Sequence, residues 1–160
     1  MIKLLVLFVL LTLAFVSSAF AYTYTCEEGK FQIDAPEGWK TSEGVSTYYS
    51  EFGKFLSNFL SITNNYGVDS TGFIKITAIE DTQAVTHLKQ LYLSAEGNAT
   101  YLTHNEATTM NVEDGWTAGD HGYFATNNFL YELWYALEPS NAPDVESTIF
   151  KILNSFRALD

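Results

Sequence analysis

Nineteen acidic residues stand against eight basic ones in this 160-residue chain, a formal net charge of −11. Such a balance repels phosphate backbones and anionic lipid surfaces, which excludes nucleic acid as a partner class. A single cysteine, Cys26, excludes an intramolecular disulfide framework, and the length fits one ordinary domain with its own core.

The first 21 residues, MIKLLVLFVLLTLAFVSSAFA, have the layout of a secretory signal peptide. Lys3 precedes an apolar run from Leu4 to Val16, broken only by Thr12, and Ala19-Phe20-Ala21 forms a small-residue cleavage site. The uncharged run from Leu4 to Tyr22 also comes close to spanning a hydrocarbon core of about 30 Å. An uncleaved N-terminal membrane anchor is therefore the competing reading. Ser17 and Ser18 dilute its far end and no positive cluster follows, which favours cleavage after Ala21. Thr23-Tyr24-Thr25 before Cys26 does not make a lipobox. Either way, residues 22–160 are expected outside the cytoplasm, secreted or periplasmic, as one globular domain with dispersed acidity.

Lys30 to Asp34 alternates Phe31 and Ile33 with polar neighbours, as a half-buried strand does. Pro36-Glu37-Gly38-Trp39 ends it in a turn with the indole folded back as a plug. Val45 to Glu51 (VSTYYSE) predicts a second strand. Phe52, Phe55, Leu56, Phe59 and Leu60 fit a helical face, but Phe59 to Thr63 after a Gly53-Lys54 turn also suits a strand, which is the favoured reading. Phe73 to Ile79 (FIKITAI) predicts a central strand. Ala84, Val85, Leu88, Leu91, Tyr92 and Ala95 form the apolar stripe of a helix that Asp81 can cap and Gly97 can end. Tyr101 to Val112 holds one or two strands. His121 to Leu137 reads as a hairpin around Asn127-Asn128. Val145, Ile149, Ile152, Leu153 and Phe156 form a closing helix that starts at Pro143-Asp144, with Lys151 and Arg157 where the dipole favours cations. This order predicts an α+β fold, an antiparallel sheet covered by helices.

The opening KFQIDAPEGWK resembles the F-x-I-x-x-P-x-x-W start of PsbP-like domains, and the closing IFKILNSFR resembles their last helix. The related DcrB-type envelope proteins share the same α/β/α sandwich, and the two matching pieces frame nearly all of residues 22–160. The resemblance implies such a sandwich and a non-catalytic domain that binds or assists a larger extracytoplasmic assembly. The photosystem role of plant-type members relies on basic residues that are few here, and it does not carry over. Phe31, Ile33, Pro36, Trp39, Ser155 and Phe156 match the motif and read as structural.

Chemistry-bearing groups are sparse. No serine sits in a nucleophile elbow, and His87 lies beside the apolar stripe of its helix, where it reads as a solvated flank residue. The acidic pairs Glu27/Glu28, Glu80/Asp81 and Glu113/Asp114 stand in expected loops, whereas acid–base work needs a desolvated carboxylate. Hence no catalytic residue is expected, and a hydrolase is the least favoured reading. Metal binding is the sharper alternative. His104, Glu106, Asp114, Asp120 and His121 cluster before the last hairpin, and His104 and Glu106 share one face of a strand. A site for a divalent ion at His104, Glu106, Asp120 and His121 is therefore a candidate, although ordinary loop polarity accounts for the same residues.

The aromatics Tyr48, Tyr49, Tyr123, Tyr131, Trp134 and Tyr135 suggest a sugar or peptide platform, set against the ordinary use of such residues in strands. Cys26 reads as a small apolar residue near a strand start, with an intermolecular bridge or reactive thiol as alternatives. Asn98-Ala99-Thr100 is a glycosylation sequon, relevant only in a eukaryotic source. The expectation is an exported, non-enzymatic domain without a cofactor that binds a protein partner.

Overall fold

The computed structural model describes residues 20–65, 71–95, 97–102, 114–118, 120–138 and 143–159. Strands β1 (Phe20–Cys26) and β2 (Phe31–Pro36) form a hairpin closed at Lys30, whose φ is 52°. The chain end returns as β10 (Arg157–Ala158) on the other side of β2, giving a three-stranded sheet ordered β1-β2-β10.

The large sheet consists of two antiparallel meanders. The first is β3 (Lys40–Ser50), β4 (Gly53–Asn65) and β5 (Thr71–Glu80); the second is β6 (Thr100–Leu102), β7 (Asp114–Ala118), β8 (His121–Ala125) and β9 (Phe129–Glu138). They join along β5 and β9, from Thr71↔Glu138 to Glu80↔Phe129, giving the order β3-β4-β5-β9-β8-β7-β6. Helix α1 (Ala84–Ser94) connects the meanders, and α2 (Pro143–Asn154) leads into β10.

Strand alternation sends side chains to two different environments. Leu60, Ile62, Ile74, Ile76, Tyr131 and Leu133 face the small sheet and α2, where they meet Phe31, Ile33, Ile149, Ile152 and Phe156. On the opposite face Ile79, Trp116, Ala125 and Leu130 pack under Ala84 and Leu88 of α1.

The expectation of an antiparallel sheet covered by helices, in the manner of a PsbP-like α/β/α sandwich, is corrected here. Among the described residues the chain is β-rich, with a seven-stranded and a three-stranded sheet and two short helices. The reason is geometric. Helices of 11 and 12 residues are roughly 17 Å long, whereas seven strands spaced by about 4.8 Å make a sheet about 30 Å wide. The small sheet therefore shares one face with α2, and α1 roofs only part of the other.

Local structure refines several expectations. The ambiguous stretch after Ser50 is strand: Phe55 and Phe59 point to one face, Leu56 and Leu60 to the other, and β4 pairs on both sides. Its turn is Glu51-Phe52 rather than Gly53-Lys54, with Gly53 at φ 135°. Helix α1 begins one residue after Gln83, whose N–H donates to Asp81 Oδ1 at 2.8 Å, so Asp81 caps from outside the helix. Gly97, at φ 80°, follows its end as expected. The hairpin around Asn127-Asn128 forms, while most of the Tyr101–Val112 stretch lies outside the described residues beyond β6.

The opening and closing motifs meet. The rings of Phe31 and Phe156 lie 5.8 Å apart, and the Asp34 N–H donates to Ser155 Oγ at 2.8 Å. Ser155 Oγ donates in turn to the Ile152 carbonyl at 2.6 Å, tying the end of α2 to β2. Trp39 is buried beside Gly72, where a Cβ would stand 3.1 Å from the indole and 3.2 Å from Ile149. The structural reading of these six residues holds.

Candidate functional site

On β5 the residues Phe73, Lys75 and Thr77 point to the same side of the large sheet as α1. Cross-strand register sets Lys75 opposite Trp134 and Thr77 opposite Glu132; on the next strand His121 faces Trp134 and Tyr123 faces Glu132. Lys75, His121 and Trp134 are only partly buried, whereas Thr77 is buried and Tyr123 packs against the cluster under α1.

A row of rings crosses this face. Phe73 and Trp134 meet edge to face at 5.2 Å, Trp134 and His121 lie 6.1 Å apart at 25°, and His121 and Tyr123 lie 6.0 Å apart at 9°. Tyr123 then stacks on Trp116 at 4.4 Å, which carries the row under α1. Lys75 Nζ stands 5.4 Å over the Phe59 ring. Lys75, Thr77, His121, Glu132 and Trp134 line an open depression of about 380 Å³.

Polar contacts hold the row in place. Glu132 Oε1 accepts the Tyr123 hydroxyl at 2.9 Å and lies 3.2 Å from His121 Nδ1. Asp120 Oδ2 accepts the Trp134 indole N–H at 2.8 Å, and that hydrogen bond lowers the Asp120 pKa. Burial, reinforced by the Glu132 charge, pushes the Tyr123 phenol well above the usual tyrosine range, and burial and Glu132 also raise Tyr48.

The folded state therefore holds these two phenol protons more tightly than the unfolded chain does. Their contribution to stability is complete below the ordinary tyrosine pKa near 10 and is lost as pH rises through the raised values. In an alkaline absorbance titration the Tyr123 and Tyr48 phenols are expected to ionise after the exposed tyrosines. Tyr123→Phe and Tyr48→Phe should each remove one late phenol. Loss of an early phenol in either variant contradicts the assignment.

The metal candidates are described only in part. His104 and Glu106 lie outside the described residues, and Asp114 is placed only by its backbone at the start of β7. Asp120 and His121 are neighbours at the β7–β8 turn, with Asp120 Oδ1 3.8 Å from His121 Nε2. Among the described residues no group of three His, Cys, Asp or Glu side chains is placed to hold a metal ion.

His87 is not a solvated flank residue. It is 13% exposed, its Nδ1 is 2.5 Å from Asp81 Oδ2, and its ring stacks on Phe52 at 4.3 Å. The β3–β4 turn supplies that lid, which the helical stripe alone does not show. The six aromatics do not form one platform either: Tyr131 is fully buried, and Tyr48 and Tyr49 point to opposite faces. Only Tyr123 and Trp134 belong to the row.

Phe73, Lys75 and Glu132 are site residues that do not stand out from the sequence as a site. Their signal is a charge inside an otherwise apolar strand, FIKITAI and FLYELWYAL, which requires a wet face at that position. Cys26 is buried, its Sγ accepts the Gly29 N–H at 3.3 Å, and burial pushes its thiol pKa up, the setting of a packing residue. Compared with protein-family models, curated proteins and solved structures, the chain has no match.

Proposed function

We propose that this is an exported, non-catalytic domain that binds a protein partner through the partly exposed ring row on the α1 side of its large sheet. The row Phe73–Trp134–His121–Tyr123, flanked by Lys75 and Glu132, carries the reading. Half-buried Trp and Tyr beside a few charges is the composition of an interface centre. The rings stand side by side along an open surface rather than around an enclosed cavity, which suits a protein surface better than a small molecule.

Export rests on the leader and agrees with the pairing of β1. Cleavage after Ala21 leaves Tyr22–Cys26 paired with β2 and removes only the Phe20↔Pro36 pair beyond a register shift. The non-catalytic part of the reading rests on the motif resemblance to PsbP-like domains alone, since the fold is not their sandwich.

A photo-crosslinking residue at Lys75 of the exported protein in its native host tests the reading. One specific protein adduct is expected, absent when the crosslinker sits at exposed Lys89 on α1. Trp134→Ala should weaken that association by at least about tenfold, the effect of an aromatic hot spot. No specific adduct at Lys75 refutes the proposal.

A further inference from the structure

The two edges of the large sheet are built differently. At one end β6 has three residues; at the other β3 has eleven, and no described strand lies on its outer side. Its register with β4 runs without a shift from Lys40↔Thr63 to Ser50↔Gly53, so no bulge turns the edge away. It contains no proline, and its only charges, Lys40 and Glu43, sit toward one end. Gly44 does not interrupt it, because the Phe59 ring lies across that position, 2.7 Å from where a Cβ would stand. Antiparallel pairing with β4 leaves every second residue of β3 with its N–H and C=O facing outward. Natural edge strands are ordinarily blunted by charge, proline, a bulge or shortness, and the central part of β3 has none of these.

Side chains next to this edge are apolar and wet. Val45 is 64% exposed and Tyr49 72%, and both point to one face; Leu56, 55% exposed, lies opposite Thr47 between them. Three of the large exposed apolar residues thus collect along one stretch of edge.

We infer that β3 is a homodimerisation edge, pairing antiparallel with β3 of a second copy of this chain. The argument for a second copy is self-complementarity under a two-fold axis. With the axis at Val45, the middle residue, all eleven positions overlap. Val45 then meets its own equivalent, Tyr49 meets Thr41 of the second copy, and Thr47 meets Glu43. No two like charges stand opposite each other, and Lys40 falls beside Ser50 and the following Glu51. Aromatic and β-branched residues across a strand pair are favourable neighbours. Thr41 also accepts a hydrogen bond from the half-exposed Tyr22 at 3.3 Å, so the incoming Tyr49 lands beside a second wet aromatic ring. The strand is about 36 Å long at a rise of 3.3 Å per residue, which provides a continuous ladder. Because each copy is strongly acidic, the pairing strengthens as salt screens the mutual repulsion.

Sedimentation of the purified exported protein across a concentration series tests this. A monomer–dimer equilibrium is expected, shifted toward dimer by added salt. Val45→Lys sets two cations against each other at the axis and should weaken the dimer by at least about tenfold. Thr47→Pro removes an edge N–H and should act in the same direction, whereas Leu93→Lys on the outer face of α1 should change nothing. Hydrogen exchange adds a readout in the folded protein: alternate β3 amides should gain protection as concentration rises. A protein that stays monomeric throughout, or a dimer unaffected by Val45→Lys, or one whose β3 amides remain unprotected, overturns the inference.

Discussion

Replacing Phe156 by alanine is expected to lower stability by about 3–5 kcal/mol, the range for deleting a buried aromatic ring. Phe156 is fully buried where α2 ends, and three rings surround it: Phe31 at 5.8 Å, Tyr131 at 5.2 Å and Phe124 at 6.5 Å. These come from the small sheet and from two strands of the large one, so neither sheet can collapse into the space without leaving the other. A domain of this size is stable by roughly 5–15 kcal/mol, so the variant loses a large fraction of that margin. Urea unfolding gives the difference; a loss under about 1 kcal/mol would show that the two sheets do not depend on this contact.

Asp81→Ala is expected to cost about 3 kcal/mol, because it breaks a buried network rather than a surface pair. Asp81 and His87 are 5% and 13% exposed, so little solvent screening applies. The carboxylate serves α1 twice, and the Asp81 backbone, which alanine keeps, serves the β8–β9 turn. Its Oδ1 accepts the Gln83 N–H at 2.8 Å, and its Oδ2 meets His87. The Asp81 N–H donates to the Asn128 carbonyl at 2.8 Å, which ties the start of α1 to the β8–β9 turn. His87 in turn lies between Phe52, stacked at 4.3 Å, and Phe55 at 6.1 Å, which fastens the β3–β4 turn to α1. A double-mutant cycle with His87→Ala should return a coupling of about 1–3 kcal/mol. Additive losses would mean that Asp81 acts only as a cap.

The candidate site is legible in parts and illegible as a site. Trp134 and His121 stand out by residue type, and FLYELWYAL with the Asn127-Asn128 turn reveals the hairpin that carries them. Lys75 comes from the other meander, 59 positions before Trp134 in sequence, and only the β5–β9 register sets the two opposite each other. His87 shows the same limit from another side. A helical stripe tells which residues face inward, but the ring that covers His87 arrives from the β3–β4 turn.

Local sequence determined many of the elements, namely β2, β5, the β8–β9 hairpin, the two amphipathic helices, the Pro36–Trp39 turn and the residues that seal β2 to the end of α2, but not β1, β7 or β10. Side-chain period and turn chemistry act over a few residues, so they can be read without knowing the rest of the chain. Tertiary structure alone decided how the strands divide into two sheets, that α1 roofs only part of one face, and that β3 rather than a strand of the second meander forms the long edge among the described residues. Those outcomes depend on which distant strands pair and on how much sheet area two short helices can cover.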